Sequence, residues 1–376
     1  ARSYAANSKL ELGIIGTGSR GAWIGQLFQE NTPTKVVALH DYFHQRVESA
    51  GQRLGVDQSR WYVDLDGYQD LIGSGVDAVA IESPPFFHPE QTVAALKAGK
   101  HVFLAKPIAV DVPGCKDILA AARQTGGRLS ILVDFQTRAN ELFWEAARRV
   151  HEGMIGTPVC GQCYCHLGRL GAQAPPGSEL ARLRNWVFDK ALSGDIIVEQ
   201  NVHVLDVANW LLGAHPLAAR GQGGRKARTD VGDCWDHFIV TYEYPNDFLL
   251  DFSSSQFAPG FEDLCVRIYG TEGTVDAHYW GSVWIRSKSE HWPGGKTDQI
   301  YQEGAVNNMK AFHASIVEGR PISNIEDSAE STLTSILGRT TAYKNGRTAT
   351  WEKILRSTKR LDPKLKLPPD GPYQRP

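Results

Sequence analysis

The sequence predicts a two-part molecule: an α/β part on a doubly wound parallel sheet, followed by an α+β part on a large, open, mostly antiparallel sheet. Three observations carry this expectation. At 376 residues the chain is too long for one ordinary core and too short for three. Up to about residue 135, near-continuous apolar strand segments alternate with helix patterns, as a parallel sheet covered on both faces requires. Beyond that point strands arrive in succession, which predicts an antiparallel meander. The expected boundaries are a polar leader over 1–9, a first domain over 10–135, a second domain over 136–360 and an extended arm over 361–376.

The first part opens with LELGIIG, TGSRGAWIGQLFQE and KVVALHD: a strand, a glycine turn leading into a helix, and a second strand, together a βαβ unit. A helix around Gln45 to Leu54 follows, then strand VDAVAIES, helix HPEQTVAALKAG, strand HVFLAKP, helix VPGCKDILAAARQTG and strand RLSILVDF. The second part begins with a helix at ELFWEAARRVHEG and the strand VCGQCYCHL. A loop covers Ala172 to Ser178, and one helix is expected over IIVEQNVHVLDVANWLLG. Strands follow at DHFIVTYEY, FLLDFSSSQF, LCVRIYG, GTVDAHY and SVWIRS, and helices return at AVNNMKAFHASIVEG and SAESTLTSILGRTTAYKNG. Half-apolar strands such as FLLDFSSSQF predict a sheet face too apolar for water, hence a homodimer or homotetramer assembled through this sheet.

Composition narrows the function classes. A formal charge of -2 leaves no basic excess for a phosphate backbone, so nucleic acid is not an expected partner. No run approaches the roughly 18–20 apolar residues of a membrane-spanning helix, so no membrane partner is expected either. Six cysteines are too sparse for a disulfide scaffold. Strand alternation puts Cys163 and Cys165 on one face and Cys160 on the other, which predicts packing and no metal. The leader ARSYAANSK is small and polar, as a tail left by export-signal cleavage is. An exported, periplasmic protein is expected, with a cytoplasmic one as the alternative.

The strongest motif is Gly16, Thr17, Gly18, Ser19, Arg20 and Gly21, directly after an apolar strand and directly before a helix. Gly16 permits the tight turn, Gly18 lets backbone amides approach a pyrophosphate, and Gly21 allows close helix–strand packing, which makes the first domain one of the Rossmann type. Asp41 ends the second strand about twenty residues further on, where a carboxylate can accept from a ribose 2′-hydroxyl and repel a 2′-phosphate. NAD is therefore expected over NADP. Its competing reading is a helix cap.

Ser83, Pro84 and His88 follow the strand at VDAVAIES, after Glu82, and Lys106 follows the strand at HVFLAKP. Ligands of open α/β sheets bind beyond the carboxyl ends of such strands, so Ser83, Pro84, His88 and Lys106 are cofactor-binding candidates. Lys106 there can also stabilise an alkoxide as hydride leaves carbon. In the second part Glu199, His203 and Asp206 are spaced for one face of a helix that is otherwise apolar. His203 is the candidate general base, and Glu199 would orient it or bind a neighbouring hydroxyl. A self-satisfied pair, or a divalent metal on Glu199 and His203 with a further ligand such as His166, are the alternatives; no metal is the expectation.

The order GIIGTGSRG, VVALHD, ESPPFFHPEQTVAALKAGKHVFLAKP and GDIIVEQNVHVLDVANWLLG resembles the glucose-fructose oxidoreductase / inositol dehydrogenase (Gfo/Idh/MocA) family over nearly the whole chain. The resemblance implies NAD(P)-dependent hydride transfer at a ring hydroxyl of a sugar, glycoside or cyclitol, with Lys106, His203 and Glu199 catalytic. Two departures stand out. The family's usual Glu-Lys-Pro is Ala105-Lys106-Pro107 here, and its Asp-x-Gly-x-His is Glu199-Gln200-Asn201-Val202-His203. One alternative is an NAD-dependent glycosidase or lyase that oxidises its substrate transiently and eliminates the glycosidic group. Another is an inactive, NAD-bound binding protein. Tyr164, His166, Arg184 and Trp186 are candidates for the substrate wall.

Overall fold

The computed structural model describes residues 9–258 and 260–368. Among these, the first part is a six-stranded parallel sheet in the order β3-β2-β1-β4-β5-β6, from β1 (Leu10–Ile15), β2 (Thr34–Asp41), β3 (Trp61–Val63), β4 (Ala78–Ile81), β5 (His101–Leu104) and β6 (Ile131–Val133). Helices α1 (Ser19–Asn31), α2 (His44–Leu54), α3 (Gly67–Gly73), α4 (His88–Lys97) and α5 (Val112–Gln124) cover it. Every residue of β4 is buried, as a central strand covered on both faces must be. The starts of α4 and α5 are set locally by proline in the first turn, and Asp111 accepts from the amide of Gly114 to cap α5.

The sequence reading passes over β3 and α3. Strand β3 is only three residues long, WYV, too short a run to stand out between the polar residues on either side.

The second part contains α6 (Glu141–His151), β7 (Pro158–Leu167), α7 (Glu179–Arg184), α8 (Lys190–Ser193), α9 (Ile196–Glu199), α10 (Val202–Leu212), β8 (Ala218–Gly224), β9 (His237–Glu243), β10 (Leu249–Gln256), β11 (Asp263–Gly270), β12 (Gly273–His278), β13 (Ser282–Ser287) and β14 (His291–Lys296). It ends with α11 (Ile300–Val317), α12 (Ile325–Ala342), β15 (Ala349–Thr350) and α13 (Trp351–Leu355). Its nine-stranded sheet runs β14-β13-β12-β11-β7-β10-β9-β8-β15, antiparallel except where β7 and β10 pair in parallel. Strands β8, β14 and β15 are additions to the sequence reading; β8 is AARGQGG and β14 is HWPGGK, both rich in glycine and poor in strand formers.

Two expectations are corrected here. The helix expected over IIVEQNVHVLDVANWLLG is two helices, α9 and α10, separated at Gln200 and Asn201. The outer face of the sheet is also less apolar than FLLDFSSSQF suggests. Leu250 and Phe252 point into the core at 0% exposure, and the outward positions of β10 are Leu249, Asp251 and Ser253. Cys163 and Cys165 are buried and Cys160 is exposed, and all six cysteines are free thiols. Of the expected arm, residues 361–368 lie on the chain's own surface. The Leu361 amide donates to Asp111 Oδ2 at 2.7 Å, Tyr42 Oη donates to the Pro368 carbonyl at 3.0 Å, and Leu365 and Leu367 pack with Tyr42, Phe43, Leu183 and Leu192. The rest of the arm, and residues 1–8 of the leader, lie outside the described residues. No helix among the described residues is long and apolar enough to cross a membrane.

Candidate active site

A cavity of about 780 Å3 opens beyond the carboxyl ends of β1, β2, β4 and β5 and is closed on its other side by α10 and the loops of the second part. The glycine turn forms one end. Gly16 has φ of +90°, and a Cβ there would stand 2.5 Å from the Ser83 nitrogen. A Cβ on Gly21 would meet the Gly16 carbonyl at 1.9 Å, which is the close helix–strand packing the motif requires. A Cβ on Gly18 would meet nothing nearer than 3.9 Å, so this glycine borders open space at the first turn of α1, where no side chain caps the amides.

Asp41 is 5% exposed; its Oδ2 accepts from the Thr17 amide at 3.0 Å and its Oδ1 from the Phe43 amide at 2.9 Å. It therefore fixes the glycine turn to the end of β2 while still lining the cavity. Ser19, Ser83 and Pro84 line it too, although Ser83 Oγ is committed to Gln91 Oε1 at 2.6 Å. The Arg20 guanidinium is spoken for: it donates to Glu82 Oε2 at 3.1 Å, to Asp134 and to the Tyr301 hydroxyl at 2.7 Å. These bonds fix the guanidinium at the cavity wall, with its side chain 28% exposed.

His88 does not face the cavity. It is 0% exposed, with Nδ1 and Nε2 each 2.8 Å from the carbonyl oxygens of Pro107 and Ser83, and burial pushes its pKa down to about 4. The neutral ring donates its one N–H to one of these carbonyls and packs between the loop after β4 and the Lys106–Pro107 turn, so its expected contact with the cofactor is replaced by a structural one.

At the other end Lys106 Nζ donates to the Glu199 carbonyl oxygen at 2.6 Å and to Glu199 Oε1 at 2.9 Å. Because the helix breaks after Glu199, its carboxylate turns to Lys106 and does not orient His203. The His203 ring packs edge-on against Tyr279 and Phe135, with centroids 5.4 and 6.0 Å away, and its Nδ1 is buried without a partner. Burial first, then Lys106 and Arg20, hold its pKa well below the usual imidazole value, so the ring is neutral at physiological pH. Asp206 points elsewhere, buried against Arg138 Nε at 2.9 Å and Ser331 Oγ at 2.7 Å.

Of the expected substrate wall, Arg184 and Trp186 line the cavity, and the Arg184 guanidinium lies 4.2 Å from the Phe43 ring centroid. Tyr164 and His166 do not. With Cys163 and Cys165 turned to the core, the alternate residues of β7 must face the other side, where His166 sits between Ser255 Oγ at 2.9 Å and Ser253 Oγ at 3.1 Å. The metal alternative loses His166 as a ligand, since His166 and His203 lie on opposite sides of the sheet, and Glu199 is paired with Lys106. Sequence reasoning missed Gln200, Leu264, Tyr279, Trp280 and Tyr301 in the wall, and named Glu82 at the end of a central strand without giving it a role.

Four buried polar atoms without a partner, Thr17 Oγ1, His40 Nδ1, Glu82 Oε1 and His203 Nδ1, belong to residues lining this one cavity. Together with the open space at Gly18, they fit a polar ligand laid from the glycine turn to Lys106, as a dinucleotide would be. Fold and site thus define a dinucleotide-binding oxidoreductase. Comparison with known proteins agrees: residues 10–133 match the oxidoreductase family with an NAD-binding Rossmann fold, and residues 143–276 match the GFO/IDH/MocA C-terminal domain. The chain belongs to the Gfo/Idh/MocA oxidoreductase family. An inositol 2-dehydrogenase of Klebsiella pneumoniae (strain 342) is 30% identical over 268 residues, covering 70% of this chain and 72% of the relative. The scyllo-inositol 2-dehydrogenase (NAD(+)) of Bacillus subtilis is 26% identical over 266 residues, with the same 70% and 72% coverage. In fold the chain is similar to levoglucosan dehydrogenase in complex with NADH and levoglucosan, with a TM-score of 0.76, 19% identity, and coverage of 91% of this chain and 99% of the other. The aldose-aldose oxidoreductase of Caulobacter crescentus gives 0.75, 20%, 91% and 100%.

Proposed function

We propose that this protein transfers a hydride between NAD and a ring carbon bearing a hydroxyl, on a sugar, glycoside or cyclitol. The observation that carries the reading is Lys106 and neutral His203 converging on the cavity that the glycine turn and Asp41 enter from the other end. NAD, when bound, supplies the hydride acceptor. The neutral His203 ring takes the hydroxyl proton. The Lys106 ammonium, held by Glu199, stabilises the negative charge that grows on the oxygen. Inositol and levoglucosan in the names of related proteins support a polyhydroxylated ring as substrate.

The elimination route needs a second base and a leaving-group acid, and Tyr164 and His166 face away from the cavity, so they supply neither. The test is incubation with NAD and a panel of free sugars, cyclitols and aryl glycosides. Accumulation of reduced nicotinamide supports the dehydrogenase reading, and aglycone release without it overturns that reading in favour of elimination. NAD binding without turnover on any member overturns both.

Asp41→Ala is expected to weaken NAD binding and relax discrimination against NADP, because it removes a ribose acceptor and the repulsion of a 2′-phosphate. It also frees the Thr17 amide. An unchanged cofactor preference in a binding titration means that the carboxylate only anchors the turn. We also propose association of two or four copies through the outer face of the nine-stranded sheet, where Ile239 is 61% and Leu249 49% exposed. Light scattering that finds only a mass near 41.5 kDa overturns this.

A further inference from the structure

Glu82 is a buried acid that the mechanism above does not use. It follows β4 directly, and its carboxyl group is 0% exposed. One oxygen, Oε2, accepts from Arg20 Nε at 3.1 Å; the other, Oε1, has no partner. Burial pushes its pKa up to about 7 against the pull of Arg20, so the fold carries this group at a cost in solvation. A buried acceptor left unpaired is expensive, and a native structure that keeps one in a ligand cavity points to a donor on the ligand.

Its place says which part of the ligand. Strands β4 and β5 pair Ile81 with Leu104, and the Ala105 amide donates to the Ile81 carbonyl at 3.0 Å, so Glu82 stands beside Ala105, one residue before Lys106. On its other side a Cβ on Gly21 would come within 3.3 Å of the Glu82 Cβ. Glu82 therefore lies between the glycine turn and the reacting end of the cavity. The reacting ring of NAD carries a single hydrogen-bond donor, the amide NH2 of its carboxamide.

We infer that Glu82 Oε1 accepts a hydrogen bond from the nicotinamide carboxamide. The inference rests on the NAD reading of the site. A carboxylate suits this task better than any neutral group, because hydrogen bonds to charged partners are the strong ones. Glu82→Gln makes the sharpest probe. The amide oxygen would keep the bond from Arg20, which turns the amide NH2 toward the carboxamide and sets donor against donor.

The experiment is calorimetric titration of wild type and Glu82→Gln with NAD, ADP-ribose and the 3-acetylpyridine analogue of NAD, whose acetyl group lacks the NH2 donor. The wild type is expected to bind NAD more tightly than the acetylpyridine analogue. Glu82→Gln is expected to lose about tenfold or more in NAD affinity, to hold ADP-ribose as the wild type does, and to bind NAD and the analogue alike. Equal losses for NAD and ADP-ribose, or no loss of either, overturn the inference and leave Glu82 as an anchor for Arg20. Wild type that binds neither NAD nor ADP-ribose refutes the dinucleotide reading itself, a distinct failure.

Discussion

Replacing His203 or Lys106 with alanine is expected to slow the hydride step by on the order of a hundredfold or more while leaving NAD affinity nearly intact. Neither side chain touches the glycine turn or Asp41, so the dinucleotide end of the cavity keeps its contacts. Both act on the same substrate oxygen, one on its proton and the other on its charge, so the double variant should lose less than the product of the two single losses. The pH dependence follows from the direction of the His203 shift. Its pKa in the folded protein lies well below 6.5, so the base form is already present at neutral pH, and its protonation cannot produce an acid limb near 6.5. Glu199→Gln acts through Lys106, its partner at 2.9 Å, so it should lower turnover without moving any histidine limb. Near-normal turnover of His203→Ala at saturating substrate removes His203 from the mechanism.

Asp206→Ala is expected to lower stability by about 3–5 kcal/mol, the usual loss when one partner of a buried ion pair is removed. Asp206 is 0% exposed, and its carboxylate takes two contacts from Arg138 Nε and one from Ser331 Oγ. Without it, Arg138 keeps only the bond to Asp327, whose side chain is 62% exposed, and Ser331 is left unpaired in the core. The urea midpoint should fall with little change in the slope of the transition. A loss below about 1 kcal/mol would mean that the site relaxes around the missing group.

Asp206 also illustrates what the sequence can and cannot reveal. The strand–helix alternation of the first part was legible because a sheet covered on both faces needs continuous apolar strands, and β1, β2, β4 and β5 have them. The glycine turn was legible because Gly16 and Gly21 each sit where a Cβ has no room. The end of α9 was not. The spacing of Val198, Val202 and Leu205 carries a helical stripe across the polar Gln200 and Asn201, so a continuous helix put Glu199, His203 and Asp206 on one face. In the fold these three have separate roles: Glu199 on Lys106, His203 at the cavity and Asp206 in the core. Tyr164 and His166 were assigned to the cavity although the alternation that buries Cys163 and Cys165 already turns them the other way. His88 could not be told from a loop ligand by sequence, because its two carbonyl partners come from residues five before and nineteen after it.

The central claim is that Lys106 and His203 serve hydride transfer from a ring carbon to NAD, and single-turnover isotope transfer tests it most directly. The protein is loaded with NAD and mixed with sugars and cyclitols deuterated at their ring carbons, and the cofactor is analysed by mass spectrometry after quenching. The account predicts that deuterium from at least one substrate appears in the nicotinamide ring, and that His203→Ala, with NAD bound, transfers it on the order of a hundredfold more slowly. Cofactor that stays unlabelled across the panel while NAD binds, or a His203→Ala variant that labels it as fast as the wild type, would contradict it.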